Sequence, residues 1–94
     1  MLIQNARIFD GDAFLRADRV QFKDGKVAAL GSACVPDEDV FDAGGKIVSP
    51  GYVDLHMHGL LGHDVLDGDP ANVKIIAEEL LKRGTTSFLP SIPT

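Results

Sequence analysis

The chain has 94 residues, 45% of them hydrophobic and 24% charged, with a formal net charge of −5. Such a length gives one domain or less, and such a balance suits an ordinary soluble globular chain rather than a disordered one. The acidic charge, and only nine scattered Lys and Arg, argue against nucleic acid or an anionic membrane as a partner.

No apolar run approaches the ~20 residues of a spanning helix, and Met1 leads into Leu2–Phe9 without a secretory pattern. The single cysteine, Cys34, has no internal partner. It fits a reducing cytoplasm and reads as a small buried or loop residue rather than a nucleophile.

In chain order, Leu2–Phe9 is an apolar, β-prone run, and Asp10-Gly11-Asp12 supplies a turn. Arg19–Phe22 is a short strand, Asp24-Gly25 a hairpin turn, and Lys26–Leu30 the returning strand. Asp-Gly between two such runs favours a type I′ turn, which needs positive φ at both central positions. Ser32–Asp39, with Pro36 and the acidic triplet Asp37-Glu38-Asp39, reads as a surface loop. Val40–Ala43 and Lys46–Val48 flank Gly44-Gly45, which predicts a further antiparallel pairing. Residues 1–49 are thus expected to form a small twisted β-domain.

The pattern changes at Ser49-Pro50-Gly51. Tyr52–His58 is a short strand, and Gly59, Gly62 and Gly68 make the next ten residues a glycine-rich loop. A helix follows, with Asp69 as N-cap, Pro70 at the first helical position and Gly84 just past the end. Val73, Ile76, Ala77, Leu80 and Leu81 repeat as one apolar stripe, and Glu78 and Lys82 are spaced to pair. Thr85–Leu89 is a second β-prone run. Strand, helix and strand in this order predict a βαβ unit with two parallel strands.

The chemistry concentrates in Pro50–His58, PGYVDLHMH. Residues two apart on a strand project from the same face, so His56 and His58 can aim at one ion. Imidazole is the commonest protein ligand for zinc and related metals. Asp54 shares that face and is a candidate to orient a ligand histidine from behind. His63 and Asp64 sit in the following loop. His63 reads mainly as a solvated loop residue, with substrate contact as the minority reading. Asp67 and Asp69 read as turn and cap residues, and the hydroxyls of Thr85-Thr86-Ser87 as strand packing.

The stretch GKIVSPGYVDLHMHG resembles the first-strand signature of the amidohydrolase superfamily. HGLLGHDVLD, followed by a helix and then RGTTSFLPSIPT, is similar to the N-acetylglucosamine-6-phosphate deacetylase family. Its members read close to HGGxGxDxxD and GTTSFLPTxxT. The match covers most of residues 44–94; Leu60-Leu61 and Ser91-Ile92-Pro93 depart from the pattern.

The resemblance implies an α/β fold class: a small N-terminal β-sandwich-like domain over 1–49, then the first βαβ unit of a truncated (β/α)8 barrel over 50–94. It implies that His56 and His58 bind a divalent metal, zinc or iron. The remaining ligands and the general base would lie beyond Thr94, leaving no catalytic residue within this chain and an inert 94-residue piece. It further implies a cytoplasmic homodimer as the full enzyme, acting on a small amino-sugar phosphate. Two alternatives stay open: a cyclic amide hydrolase of the dihydroorotase type, and a non-catalytic module that self-associates through exposed strands.

Overall fold

Asn5, at φ +55°, breaks the first apolar run into β1 (Leu2–Gln4) and β2 (Arg7–Ile8). Asparagine is among the few non-glycine residues that visit the left-handed region readily. The computed structural model describes residues 1–93, which fall into two compact units, 1–50 and 51–93.

In the first unit β3 (Val20–Lys23) and β4 (Lys26–Leu30) form an antiparallel hairpin. Its turn, Asp24-Gly25, has φ of +53° and +73°, the positive pair that a type I′ turn requires. β5 (Val40–Asp42) lies parallel to β1, and β6 (Ile47–Val48) lies parallel to β2. Gly44-Gly45 therefore does not close an antiparallel pair, contrary to the sequence expectation.

The reason lies in where the backbone donors of that turn go. Ala43 N–H donates to Gln4 O at 2.8 Å and Gly45 N–H to Asn5 O at 2.7 Å. The second segment thus follows the kinked first segment through its bend. The sheets are β4-β3-β1-β5 and β2-β6. Ala6, Ile8, Val20 and Ala43 form the buried core, with Ile3, Leu15, Phe22 and Val48 packed on it.

Gln21 is the one buried polar side chain of the described residues and ties down the acidic loop. Its amide accepts from Val35 N–H at 3.0 Å and donates to Asp37 Oδ2 at 3.2 Å. Asp37 also accepts from Asp39 N–H at 3.0 Å and faces the Met1 ammonium at 3.2 Å. The Asp39 amide first, then Gln21 and the amino terminus, hold the Asp37 carboxyl down at about 2.

A carboxyl depressed in the folded state stabilises it fully above the unfolded-state value of about 3.9. That contribution is lost as pH falls through the folded value. Thermal melts are expected to drop between about pH 4 and pH 2, and Asp37→Asn to flatten that part of the profile. Parallel profiles for the two proteins would remove Asp37 as the cause.

The second unit begins with β7 (Tyr52–Met57), and the segment after His58 is more ordered than a glycine-rich loop. β8 (Gly59–Leu60) and β9 (His63–Asp64) pair as an antiparallel hairpin, and a 3₁₀ turn covers Val65–Asp67. Of the glycines read as loop signals, Gly59 and Gly62 are instead hairpin parts, and Gly68, at φ +68°, closes the 3₁₀ turn. A Cβ at Gly59 would collide with the His63 carbonyl, so only glycine permits this close approach.

The hairpin turns on Leu61-Gly62, at φ +52° and +75°. Leucine at a left-handed position costs about 1–2 kcal/mol, and Leu61 is 60% exposed, so packing does not offset it. Leu61→Asn is expected to raise stability by about 0.5–1 kcal/mol in urea unfolding, since asparagine tolerates that conformation. A loss of stability would mean that Leu61 makes packing contacts in solution.

Helix α1 (Pro70–Lys82) starts with the Asp69 carboxylate accepting from Ala71 N–H at 2.9 Å, and Pro70 follows the cap. Gly84, at φ +88°, turns the chain out. β10 (Thr85–Pro90) then lies parallel to β7, completing the expected βαβ order.

The core of this unit is Val65, Ile76 and Leu80, against which Met57, Leu60 and Phe88 pack. The apolar stripe is narrower than its spacing suggests, because Leu81 is 62% exposed. Glu78 pairs with Lys74 at 3.9 Å rather than with Lys82, which reaches Glu79 at 3.3 Å. Arg83 also binds Glu79, at 3.2 Å, closing a small network at the helix end. No helix among the described residues is long and apolar enough to cross a membrane.

Candidate metal centre

Met57 packs toward the α1 core. By strand alternation, its neighbours His56 and His58 are directed to the opposite side. The two Nε2 atoms lie 2.7 Å apart, with ring centroids 4.6 Å apart and ring planes at 67°. Both imidazoles therefore aim their far nitrogens at one point. Both residues are exposed, so the point is open to solvent and solute.

The hydrogen bonds decide which nitrogen carries the proton. His58 Nδ1 lies 2.9 Å from the Ser91 carbonyl oxygen. A carbonyl only accepts, so Nδ1 carries the hydrogen and Nε2 is left with its lone pair. With both rings neutral, His56 Nε2–H then donates to His58 Nε2. Asp54 lies on the same face, and its Oδ1 accepts the main-chain N–H of His56 at 3.0 Å. Its contact is with the backbone of the ligand candidate, not with either ring.

Whether an ion fits follows from the donor geometry. With Zn–N bonds of about 2.0–2.1 Å, two nitrogens are about 2.9 Å apart at a right angle and about 3.4 Å apart at a tetrahedral one. The present 2.7 Å separation needs an opening of a few tenths of an ångström to reach the smaller figure. Two neutral imidazoles suit zinc or iron. Among the described residues no cluster of three or more His, Cys, Asp or Glu side chains is placed to hold an ion. This pair is half a coordination shell.

His63 stands elsewhere. Its Nδ1–H donates to Asn72 Oδ1 at 2.8 Å, and Asn72 Nδ2–H donates to Asp67 Oδ2 at 3.2 Å. The chain Asp67–Asn72–His63 fixes the ring against the first turn of α1. Asp64 Oδ1 accepts Leu66 N–H at 2.8 Å and caps the 3₁₀ turn.

Two participants escaped the sequence reading, Asn72 and Ser91. Asn72 sits in the first helical turn, where asparagine is unremarked. Ser91 acts through its main chain, which no residue type advertises.

Comparison with known proteins gives a consistent result. No family model matches the chain. It is 30% identical over 95 residues to an N-acetylglucosamine-6-phosphate deacetylase of Lysinibacillus sphaericus, which covers 100% of this chain. It is 41% identical over 58 residues to a D-hydantoinase of Ralstonia pickettii, covering 62% of this chain. This chain is a homologue of the amidohydrolases.

Among solved structures, an L-hydantoinase from Arthrobacter aurescens aligns with a TM-score of 0.52 at 41% identity, over 61% of this chain. That likeness covers a mixed α/β domain. The chain spans 24% of the Lysinibacillus deacetylase, and 12% and 13% of the two hydantoinases.

Proposed function

We propose that this chain is the opening part of a metal-dependent amide hydrolase, in which β7, α1 and β10 form the first βαβ unit of a (β/α)8 barrel. His56 and His58 would contribute two nitrogens to a divalent ion, zinc or iron, at the C-terminal end of the first barrel strand. Active sites of such barrels are built there. The observation that carries this reading is the convergence of the two Nε2 atoms to 2.7 Å.

When bound, the ion would polarise an amide carbonyl and acidify a water. This chain's own residues would do the holding. Ser91 fixes the His58 ring, Asp54 holds the strand at the His56 amide, and the Gly59 hairpin leads the chain away from the opening. A general base and further ligands would come from outside these residues, so the 94-residue chain alone is expected to hydrolyse nothing. His63 remains a substrate-contact candidate, with its Nδ1 side engaged by Asn72.

The preferred substrate is N-acetylglucosamine 6-phosphate, cleaved to glucosamine 6-phosphate and acetate in the cytoplasm by a homodimer. Similarity to the deacetylases runs through 100% of the chain, whereas that to the hydantoinases covers 62%. A cyclic amide such as hydantoin or allantoin is the second reading. The higher identities favour it: 41% to the D-hydantoinase and 42% to an allantoinase of Escherichia coli.

The deciding experiment assays a longer protein containing this chain against N-acetylglucosamine 6-phosphate, hydantoin and allantoin. Each assay is run before and after chelation and metal return. Turnover confined to the cyclic amides would reject the sugar substrate. Turnover of all three unaffected by chelation would reject the metal.

A further inference from the structure

We propose that the main chain of Ser91 is the positioning group of the metal centre. Its carbonyl selects the His58 tautomer that presents the Nε2 lone pair to an ion. The inference rests on the reading of His56 and His58 as metal ligands. It goes further by naming what sets them.

The Ser91 peptide is held to β7 on both sides. Its N–H donates to Met57 O at 2.8 Å, and its carbonyl accepts from His58 Nδ1 at 2.9 Å. Pro90 cannot donate a backbone bond, so the first donor after β10 is Ser91 itself. Pro93 restricts Ile92 to extended conformations. Two prolines thus bracket the segment Ser91-Ile92 and limit the directions in which the Ser91 carbonyl can point.

The two rings are unequal in consequence. His58 is held at Nδ1 by Ser91, the residue that follows the second strand of the βαβ unit. The His56 ring has no hydrogen-bond partner among the described residues apart from His58. His58 is therefore the fixed nitrogen and His56 the adjustable one. A turn of the His56 ring supplies the opening an ion needs, about 0.2 Å for a right-angle site and about 0.7 Å for a tetrahedral one. Its neutral ring must also move its proton from Nε2 to Nδ1, which costs no net charge. A ring N–H donated to a backbone carbonyl is a recurrent support for metal-bound histidine, and losing such a partner typically weakens binding 10–100-fold.

The serine side chain is not part of this role. Its hydroxyl donates to Leu89 O at 3.2 Å, away from either ring. The test therefore alters the main chain. The 94-residue chain is within reach of assembly by ligation, with the Ser91–Ile92 amide replaced by an ester. The ester makes the Ser91 carbonyl a weaker acceptor. It removes only the Ile92 N–H, which donates to no partner among the described residues.

Ring nitrogen NMR of the metal-free parent is expected to show His58 with its hydrogen on Nδ1. The ester chain is expected to show mixed tautomers and about tenfold or weaker Co²⁺ affinity by titration. Ser91→Ala is expected to match the parent in both readouts. A parent His58 with its hydrogen on Nε2, or an ester chain unchanged in tautomer and affinity, overturns the proposal. If the parent shows the Nδ1–H tautomer but takes up no Co²⁺, the metal reading fails while the Ser91 contact stands.

Discussion

Replacing His56 and His58 together by alanine is expected to abolish binding of Zn²⁺ or Co²⁺ by the chain. Their Nε2 atoms are the only imidazole nitrogens among the described residues within 3 Å of each other. His63, the remaining histidine, is committed through Nδ1 to Asn72. No third carboxylate, thiol or imidazole gathers with the pair among the described residues. The double variant should therefore lose all specific affinity, and each single variant most of it.

Folding should survive, because both residues are exposed and exposed positions usually change stability by less than about 0.5 kcal/mol. His58→Ala carries one extra cost, since it removes the bond to Ser91 just beyond the ends of β7 and β10, about 1 kcal/mol. Metal titration beside circular dichroism separates the two effects. His63→Ala is the control and should leave affinity within about twofold, as its ring is tied to α1. Full metal uptake by the double variant would end the ligand assignment. Loss of uptake in His63→Ala would mean that a third imidazole reaches the ion in solution.

The second unit was legible in the sequence because its signals are local. Asp69 and Pro70 mark the helix start by side-chain capping and a fixed φ. Period-2 alternation along Tyr52–His58 brings the two imidazoles to one face. The Asp24-Gly25 turn is also local, since two positive φ values follow from the residue types.

What the sequence hid is mostly non-local, with one local exception in the hairpin after His58. β5 and β6 flank a glycine pair that looks like a hairpin, yet they pair with β1 and β2, about forty residues away. Asn5 kinks the first run to match, and neither bend could be read without the other. The hairpin after His58 was masked by Leu61, a residue that a type I′ turn disfavours. The Ser91 contact was invisible because a carbonyl belongs to every residue.

Ile76→Ala is expected to cost the second unit about 2–5 kcal/mol, the range for an isoleucine truncated in a packed core. Ile76 is 0% exposed, and among the described residues only Val65 and Leu80 are buried with it. A core this small has few neighbours able to move into the space left, so the cavity term is added nearly in full. The damage also has a direction. Met57, Leu60 and Phe88 pack on that core, and Met57 stands between the two candidate ligands.

Loosening Met57 lets the end of β7 shift against the segment after β10, which disturbs the His58 ring held by Ser91 relative to the His56 ring without substituting either. Urea unfolding followed by hydrogen exchange in α1 reports the first effect, without assuming that the two units melt together. Metal titration below the unfolding transition reports the second. Leu81→Ala, at a 62% exposed position of the same helix, should change stability by less than about 0.5 kcal/mol. If Ile76→Ala costs under about 1 kcal/mol, the cluster relaxes around the loss, and the rigidity of the imidazole pair must come from the Ser91 and Asp54 contacts alone.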